Sequence, residues 1–309
     1  MEPYQDVARI LTQVKKAVIG KDGVLIRVML AVLARGHVLL EDIPGVGKTT
    51  MALAFSKALG LSYRRVQFTP DVMPSDLTGF SIYNKTTGKM EYQPGALLCS
   101  LFLADELNRA TSRTQSALLE AMEEGRVTVD GVTHPIPQPF LVIATQNPTG
   151  VSGTQLLPDS QLDRFTLRLS IGYPSHQDEM TMVRRRNSSP MERVEQVIDA
   201  QGLEQLRQQV EAVYLSDQVL DYLIRLIDAT RRHPMIRQGA SPRATLALTA
   251  VSQAAAFIRG RDYVVPEDVK AVFRDVIDHR LIYAPQTARD EKADPLAEVL
   301  RSVKAPSIR

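Results

Sequence analysis

The 309-residue sequence predicts an α/β fold: a parallel sheet flanked by helices, followed by a smaller all-α domain. Three observations carry this. The apolar run His37-Val-Leu-Leu40 leads directly into a glycine-containing loop and then into a helical pattern. Two further apolar runs, "CSLFLADE" and "PFLVIATQN", each end abruptly in polar residues. After about residue 185 the strand signals fade and helical spacing takes over. Strands that alternate with helices pair in parallel, and such sheets hold their ligands at the carboxyl ends of the strands, where these polar endings would cluster. The division expected is 1–185 for the α/β part and 186–309 for the helical part.

Along the chain, residues 1–35 read as helical, with Val7, Ile10, Leu11, Val14 and Val18 on one face and Gly20 as a stop. Beyond the loop, Met51, Ala54, Phe55, Ala58 and Leu59 repeat at helix spacing, and Gly60 ends the run. Ser112 with Gln115 gives a capping-box signal for a helix through "TQSALLEAMEEG". Val127 to His134 reads as a hairpin turning at Asp130-Gly131. In the helical part Ser216 caps one helix, Ser241-Pro242 opens another, and Val265-Pro266-Glu267-Asp268 starts a third. The tail from Ala284 carries no readable pattern.

Composition excludes several classes. Lys plus Arg number 37 against 35 Asp plus Glu, so no large basic field attracts nucleic acid or acidic lipid. The triplet Arg184-Arg185-Arg186 reads as a solvated helix face. Cys99 is the single cysteine and, set in "ALLCSLFLA", reads as a buried, inert thiol. Neither a leader-like N-terminus nor an apolar stretch of about 18 residues is present, which points to a cytoplasmic protein without a membrane span.

The chemistry lies in "LLEDIPGVGKTT". Gly45 and Gly47 stand where backbone N–H groups must turn inward around phosphate oxygens, and side chains there would block the approach. Lys48 would reach the β and γ phosphates and the Thr49 hydroxyl would ligate Mg²⁺. The nucleotide-binding stretch expected is Pro44, Gly45, Val46, Gly47, Lys48, Thr49 and Thr50. Asp42 departs from the pattern G-x-x-x-x-G-K-[ST], which wants glycine there; at the strand exit its carboxylate can point away from phosphate. In "LFLADE", Asp105 would serve the metal's water shell and Glu106 would polarise the attacking water. Asn147 ends a neighbouring strand beside the γ-phosphate, where an amide can orient water. Arg164 in "LPDSQLDRF" and Arg243 in "GASPRATLAL" complete the candidate set.

With these pieces in order, the chain closely resembles the MoxR family of AAA+ ATPases over nearly its whole length. The stretches that carry the resemblance are "VIGK", "HVLLEDIPGVGKTT", "RVQFTPDVMPSDLTG", "LFLADELNRATSRTQSALLEAMEE", "VIATQNP", "LLPDSQLDRF" and "GASPRATLAL". The resemblance implies that Asp42 is a familiar variant. Asn147 is then the sensor of the γ-phosphate, Arg164 an arginine finger presented to a neighbouring subunit's nucleotide, and Arg243 a second sensor reaching from the helical lid onto the phosphates. Ile19 and Gly20 would line the adenine pocket. It further implies a homo-oligomeric ring, a hexamer, acting as a chaperone-like motor that uses Mg-ATP to move lid against core and remodel a protein client. A von Willebrand factor A domain partner, and metal cofactor insertion, belong to the same implication. "GFSIYNKTTGKMEYQPG" would form a hairpin interrupting a helix, with Ile82 and Tyr83 opposite Met90 and Tyr92, and "GRVTVDGVTHPIP" a second hairpin. A metal-chelatase-like motor subunit and a nucleic-acid motor are the alternatives.

Overall fold

A computed structural model describes residues 3–41, 45–147, 157–185, 190–285 and 293–307. Helices α1 (Pro3–Ala17) and α2 (Asp22–Leu33) precede strand β1 (Val38–Glu41) and helix α3 (Lys48–Ala58). Strand β2 (Tyr63–Gln67), helix α4 (Pro74–Thr78) and the hairpin of β3 (Gly79–Asn84) with β4 (Lys89–Pro94) lead into β5 (Leu101–Asp105). Helix α5 (Ser112–Glu124) and a second hairpin, β6 (Arg126–Val129) with β7 (Val132–Pro135), lead to β8 (Leu141–Gln146), α6 (Asp159–Leu162), β9 (Leu167–Leu169) and α7 (His176–Arg184). The helical part comprises α8 (Ala200–Glu211), α9 (Asp217–Arg232), α10 (Pro242–Phe257), α11 (Pro266–Ile277) and α12 (Pro295–Ser302). It also carries a small antiparallel ladder of β10 (Ile236–Gln238) with β11 (Ile282–Tyr283).

The main sheet has the order β2-β5-β8-β1-β9, and all its pairings are parallel. Alternation along the strands divides the core in two. Val38, Leu40, Leu101, Leu103, Leu141 and Ile143 face α1 to α3 and are continuous with buried residues of the helical part such as Leu206, Leu226, Leu248 and Phe273. Leu39, Phe102, Ala104, Val142 and Ala144 face the other side, against Leu118, Leu119 and Met122 of α5.

Several expectations shift by small amounts. The cap of α5 is Thr111, whose hydroxyl accepts from Thr114 N, and Ser112 is already helical. Gln115 instead donates to the carbonyls of Leu107 and Ala110. In the first hairpin Tyr83 does lie opposite Met90, but Ile82 faces Glu91 and Tyr92 faces Ser81. That hairpin follows the short α4 and re-enters β5 without a second helix, so it does not interrupt one. Its Tyr92 ring stacks on His134 of the second hairpin, with centroids 3.7 Å apart. Ser216 and Ser241 cap α9 and α10 as expected, and Asp268 accepts from Val265 N at the start of α11. The tail contains α12, capped by Asp294. Cys99 is buried and burial pushes its thiol up to about 11. Among the described residues, no helix is long and apolar enough to cross a membrane.

Two histidines tie the layers together in their neutral form. His37 Nδ1 accepts from Val142 N (3.0 Å) and its Nε2 lies 3.2 Å from Met122 O, which requires the proton on Nε2. Burial pushes its pKa down to about 4. His279 faces Phe165 O at 2.9 Å, and burial, aided by the Arg280 charge, holds it well below its ordinary value. Below pH of about 6.5 the unfolded chain takes up these protons while the folded chain does not, so stability is full above that pH and falls below it. Each pH unit crossed between the two pKa values costs about 1.4 kcal/mol per histidine. Melting temperatures should therefore drop between pH 7 and 5, and His279→Gln or His37→Gln should flatten the slope; an unchanged slope in both would refute this assignment.

Candidate active site

Because β5, β8 and β1 are adjacent and parallel, their carboxyl ends fall side by side. β1 ends at Glu41, β5 at Asp105, and β8 at Gln146 just before Asn147. Above them Gly45 and Gly47 adopt φ of +86° and +95°, a region costly for any other residue. A Cβ on either would meet none of the described residues within 4 Å. No side chain caps α3, which starts at Lys48, and its first N–H groups point toward the loop by helix geometry. Asp42 and Pro44 lie outside the described residues.

A cavity of ≈370 Å³ is lined by Gly45, Gly47, Lys48, Thr49 and Thr50 together with Arg65, Gln67, Asp105, Glu106 and Asn147. Its carboxylates are held firmly. Asp105 Oδ1 accepts from Thr145 Oγ1 (2.7 Å), and Oδ2 from Arg65 Nη2 (2.8 Å). The same Thr145 oxygen accepts from Glu106 N (2.8 Å), at a residue held at φ +58°. Glu106 Oε2 accepts from Arg109 Nη1 at 2.9 Å, and Oε1 from Asn147 Nδ2 at 3.4 Å. Burial raises the Glu106 pKa, but hydrogen bonds from Arg109, Asn147 and Gln67 outweigh it and hold the carboxyl below its ordinary value. It is thus ionised at neutral pH, as a base must be. Asn147 Oδ1 is buried without a hydrogen-bond partner and can receive a ligand or a water.

A second, mostly apolar cavity of ≈410 Å³ shares Gly45, Gly47 and Thr50 with the first. Its wall includes Val18, Ile19, Val46, Tyr173, Met182 and Val183. Ile19 lines it, whereas Gly20 stands behind, at φ +71°, where a Cβ would run into Asp178 of α7. Lys21 fixes the wall: its Nζ donates to the carbonyls of Ile171, Gly172 and Tyr173 at 2.8–3.0 Å. A flat apolar slot joined to a polar, glycine-floored one matches a base joined to a polyphosphate.

Arg164 and Arg243 are not in this cavity. They converge elsewhere on Glu123: Arg164 Nε lies 3.4 Å from Oε2, and Arg243 Nη2 hydrogen-bonds Oε1. Within one chain, then, the structure unites Lys48, Thr49, Asp105, Glu106 and Asn147, and separately pairs the two arginines. Arg65, Gln67, Arg109, Thr145, Lys21 and Glu123 were missed by the sequence reading. Only Thr145, the first polar residue after the apolar run of β8, carried a usable signal.

Nucleotide and Mg²⁺ fit the residues present. The left-handed glycines leave their cradle open, Lys48 supplies charge, and the Thr49 hydroxyl and Asp105 carboxylate supply hard oxygen donors beside it.

Such a sheet, loop and lid define an AAA ATPase. Residues 37–167 match the model of the ATPase family associated with various cellular activities (AAA), and residues 228–299 match an AAA lid domain. The chain is similar to Chaperone MoxR1 of Mycobacterium tuberculosis, with 37% identity over 97% of this chain and 82% of that protein. Protein MoxR of Methylorubrum extorquens is 30% identical over 96% of this chain and 93% of its own. A crystal structure of a protein from Cytophaga hutchinsonii superposes with a TM-score of 0.91 at 35% identity, covering 99% of this chain and 96% of that one. The chain belongs to the MoxR family of AAA+ ATPases.

Lys21→Met should remove three hydrogen bonds from a buried ammonium and lower stability by about 3 kcal/mol. It should weaken nucleotide binding at the same time, because Lys21 and Tyr173 line the base slot. Urea unfolding together with titration of a fluorescent ATP analogue checks both; unchanged binding would detach the slot from the base.

Proposed function

We propose that this chain hydrolyses Mg-ATP at interfaces between copies of itself, in a ring that remodels or matures a protein client. The observation that carries this is the split between the cavity of Lys48, Asp105 and Glu106 and the distant pairing of Arg164 with Arg243 on Glu123. A triphosphate in the cavity lies apart from Arg164 and Arg243 of its own chain, and a neighbouring copy can supply both. In this reading Arg243, like Arg164, serves the neighbour's nucleotide and not its own chain's.

Roles follow from position. Backbone N–H groups around Gly45 and Gly47 cradle the phosphates, Val46 and Ile19 flank the base, and Lys48 neutralises the β and γ oxygens. Thr49 and Asp105 would hold Mg²⁺ with the phosphates, where it would supply charge that stabilises the leaving oxygen. Glu106 takes the proton of the attacking water, which Asn147 orients. Arg109 holds Glu106 through the same carboxylate and must yield part of that bond as the water is engaged. Residues 1–185 form the nucleotide unit and 186–309 the lid, a division that the two family matches support.

The name of the Mycobacterium tuberculosis relative supports a chaperone-like role. A hexameric ring, a cytoplasmic setting, a von Willebrand factor A domain partner and metal cofactor insertion into the client belong to the same proposal. The exposed side chains of Phe80, Tyr83 and Met90 on the first hairpin offer an apolar surface for a client.

Glu106→Gln and Arg164→Ala should each be nearly inactive, losing about 10²- to 10⁴-fold and 10³- to 10⁵-fold in turnover. An equal mixture should recover part of the activity, and wild-type specific activity should rise with protein concentration. Activity linear in protein with a dead mixture would leave a monomeric ATPase. Lys48→Ala should abolish ATP binding in an equilibrium titration; unchanged affinity would refute the loop assignment.

A further inference from the structure

The meeting of Arg164 and Arg243 depends on a polar cluster apart from the nucleotide cavity. Its centre is Arg280, whose side chain is only 2% exposed. Arg280 donates from Nε to Asp163 Oδ1 (2.9 Å), and from Nη2 to the carbonyls of Asp163 (3.2 Å) and Phe165 (2.7 Å). Its Nη1 donates to the carbonyls of Thr166 (3.1 Å) and Val276. The carbonyls of Asp163 and Phe165 flank Arg164, so this one guanidinium grips the backbone from which Arg164 projects. His279, the preceding residue, holds Phe165 O as well.

The Asp163 carboxylate carries the grip onward. It accepts from Ser241 Oγ at 3.0 Å, and Ser241 caps α10 two residues before Arg243. One buried ion pair therefore fixes the emergence of both arginines, one from the sheet side and one from the helical part. Only a planar, five-donor fork can reach these acceptors together; a lysine ammonium cannot span them. A buried pair of this kind is poor as a stabiliser, since apolar packing does as well, which leaves geometry as its use here.

We propose that Arg280, through Asp163 and Ser241, is a positioning residue that sets the Arg164–Arg243 pair for the phosphates of a neighbouring copy's nucleotide. This rests on the reading that the two arginines act across the subunit interface.

Arg280→Lys keeps the charge and loses the fork. It should bind a fluorescent ATP analogue within about twofold of wild type, while its turnover alone falls about 10²-fold, the usual cost of a misplacement near 1 Å. Mixed equally with Glu106→Gln it should recover activity, because it retains an intact nucleotide cavity and borrows intact arginines. Mixed with Arg164→Ala it should stay inactive, because both chains are then poor donors. Asp163→Asn, which keeps shape and an acceptor oxygen, should give the same pattern, and it carries the test if Arg280→Lys loses the wild-type melting transition. Turnover within twofold of wild type, or recovery with Arg164→Ala instead of Glu106→Gln, overturns the proposal. The mixture of Glu106→Gln with Arg164→Ala is the control. If it is dead, the shared-site reading falls and this inference with it; if it recovers while the mixture of Arg280→Lys with Glu106→Gln does not, only the role of Arg280 falls.

Discussion

Parallel pairing of β1, β5 and β8, buried on both faces, is the constraint on which the rest depends. Such strands have no room for charge along their length, since an unpaired ion there costs several kcal/mol. Polar groups therefore gather at the carboxyl ends. Three neighbouring strands then deliver a phosphate loop, a carboxylate pair and an amide to one line, without any loop needing to search for them.

The site is organised before any ligand arrives. Asp105 and Glu106 would repel each other and a polyphosphate, yet each is matched by its own cation, Arg65 and Arg109. Thr145 locks the turn between them by accepting from the Glu106 amide while donating to Asp105. Such preorganisation spares reorganisation when charge shifts during reaction. The arginines on Glu123 are likewise paired and partly solvated, so exchanging that single carboxylate for a phosphate is electrostatically downhill.

Legibility in the sequence followed burial. β5 and β8 were plain because every residue in them is buried and apolar runs result. β2 was not, because it is an edge strand with Arg64 and Arg65 in its middle, and β9 has only three residues. The cap of α5 slipped by one residue because Thr111 and Ser112 are chemically equivalent caps and only the backbone selects between them. Lys48, Thr49, Asp105, Glu106 and Asn147 were legible as candidates because they stand at strand ends or at the helix start that follows one. Arg65, Arg109, Glu123 and Arg280 were missed because each acts through a partner distant in space or ordinary in sequence; Glu123 looks like any solvated glutamate of "EAMEEG".

The apolar cluster that runs unbroken from α1 and α2 into α8, α10 and α11 has a mechanical consequence. Arg207 of α8, itself buried, bonds the carbonyl of Val32 in α2, and Arg280 clasps the strand approach to β9. Close-packed interiors deform little, so the described residues of the nucleotide unit and lid pack together as a stiff lever. Under the proposed function, the lid-against-core movement that the family resemblance suggests then falls between chains. In the ring proposed above, compliance then resides in the joints, and each power stroke tilts whole subunits past one another, like rigid links turning on their pins.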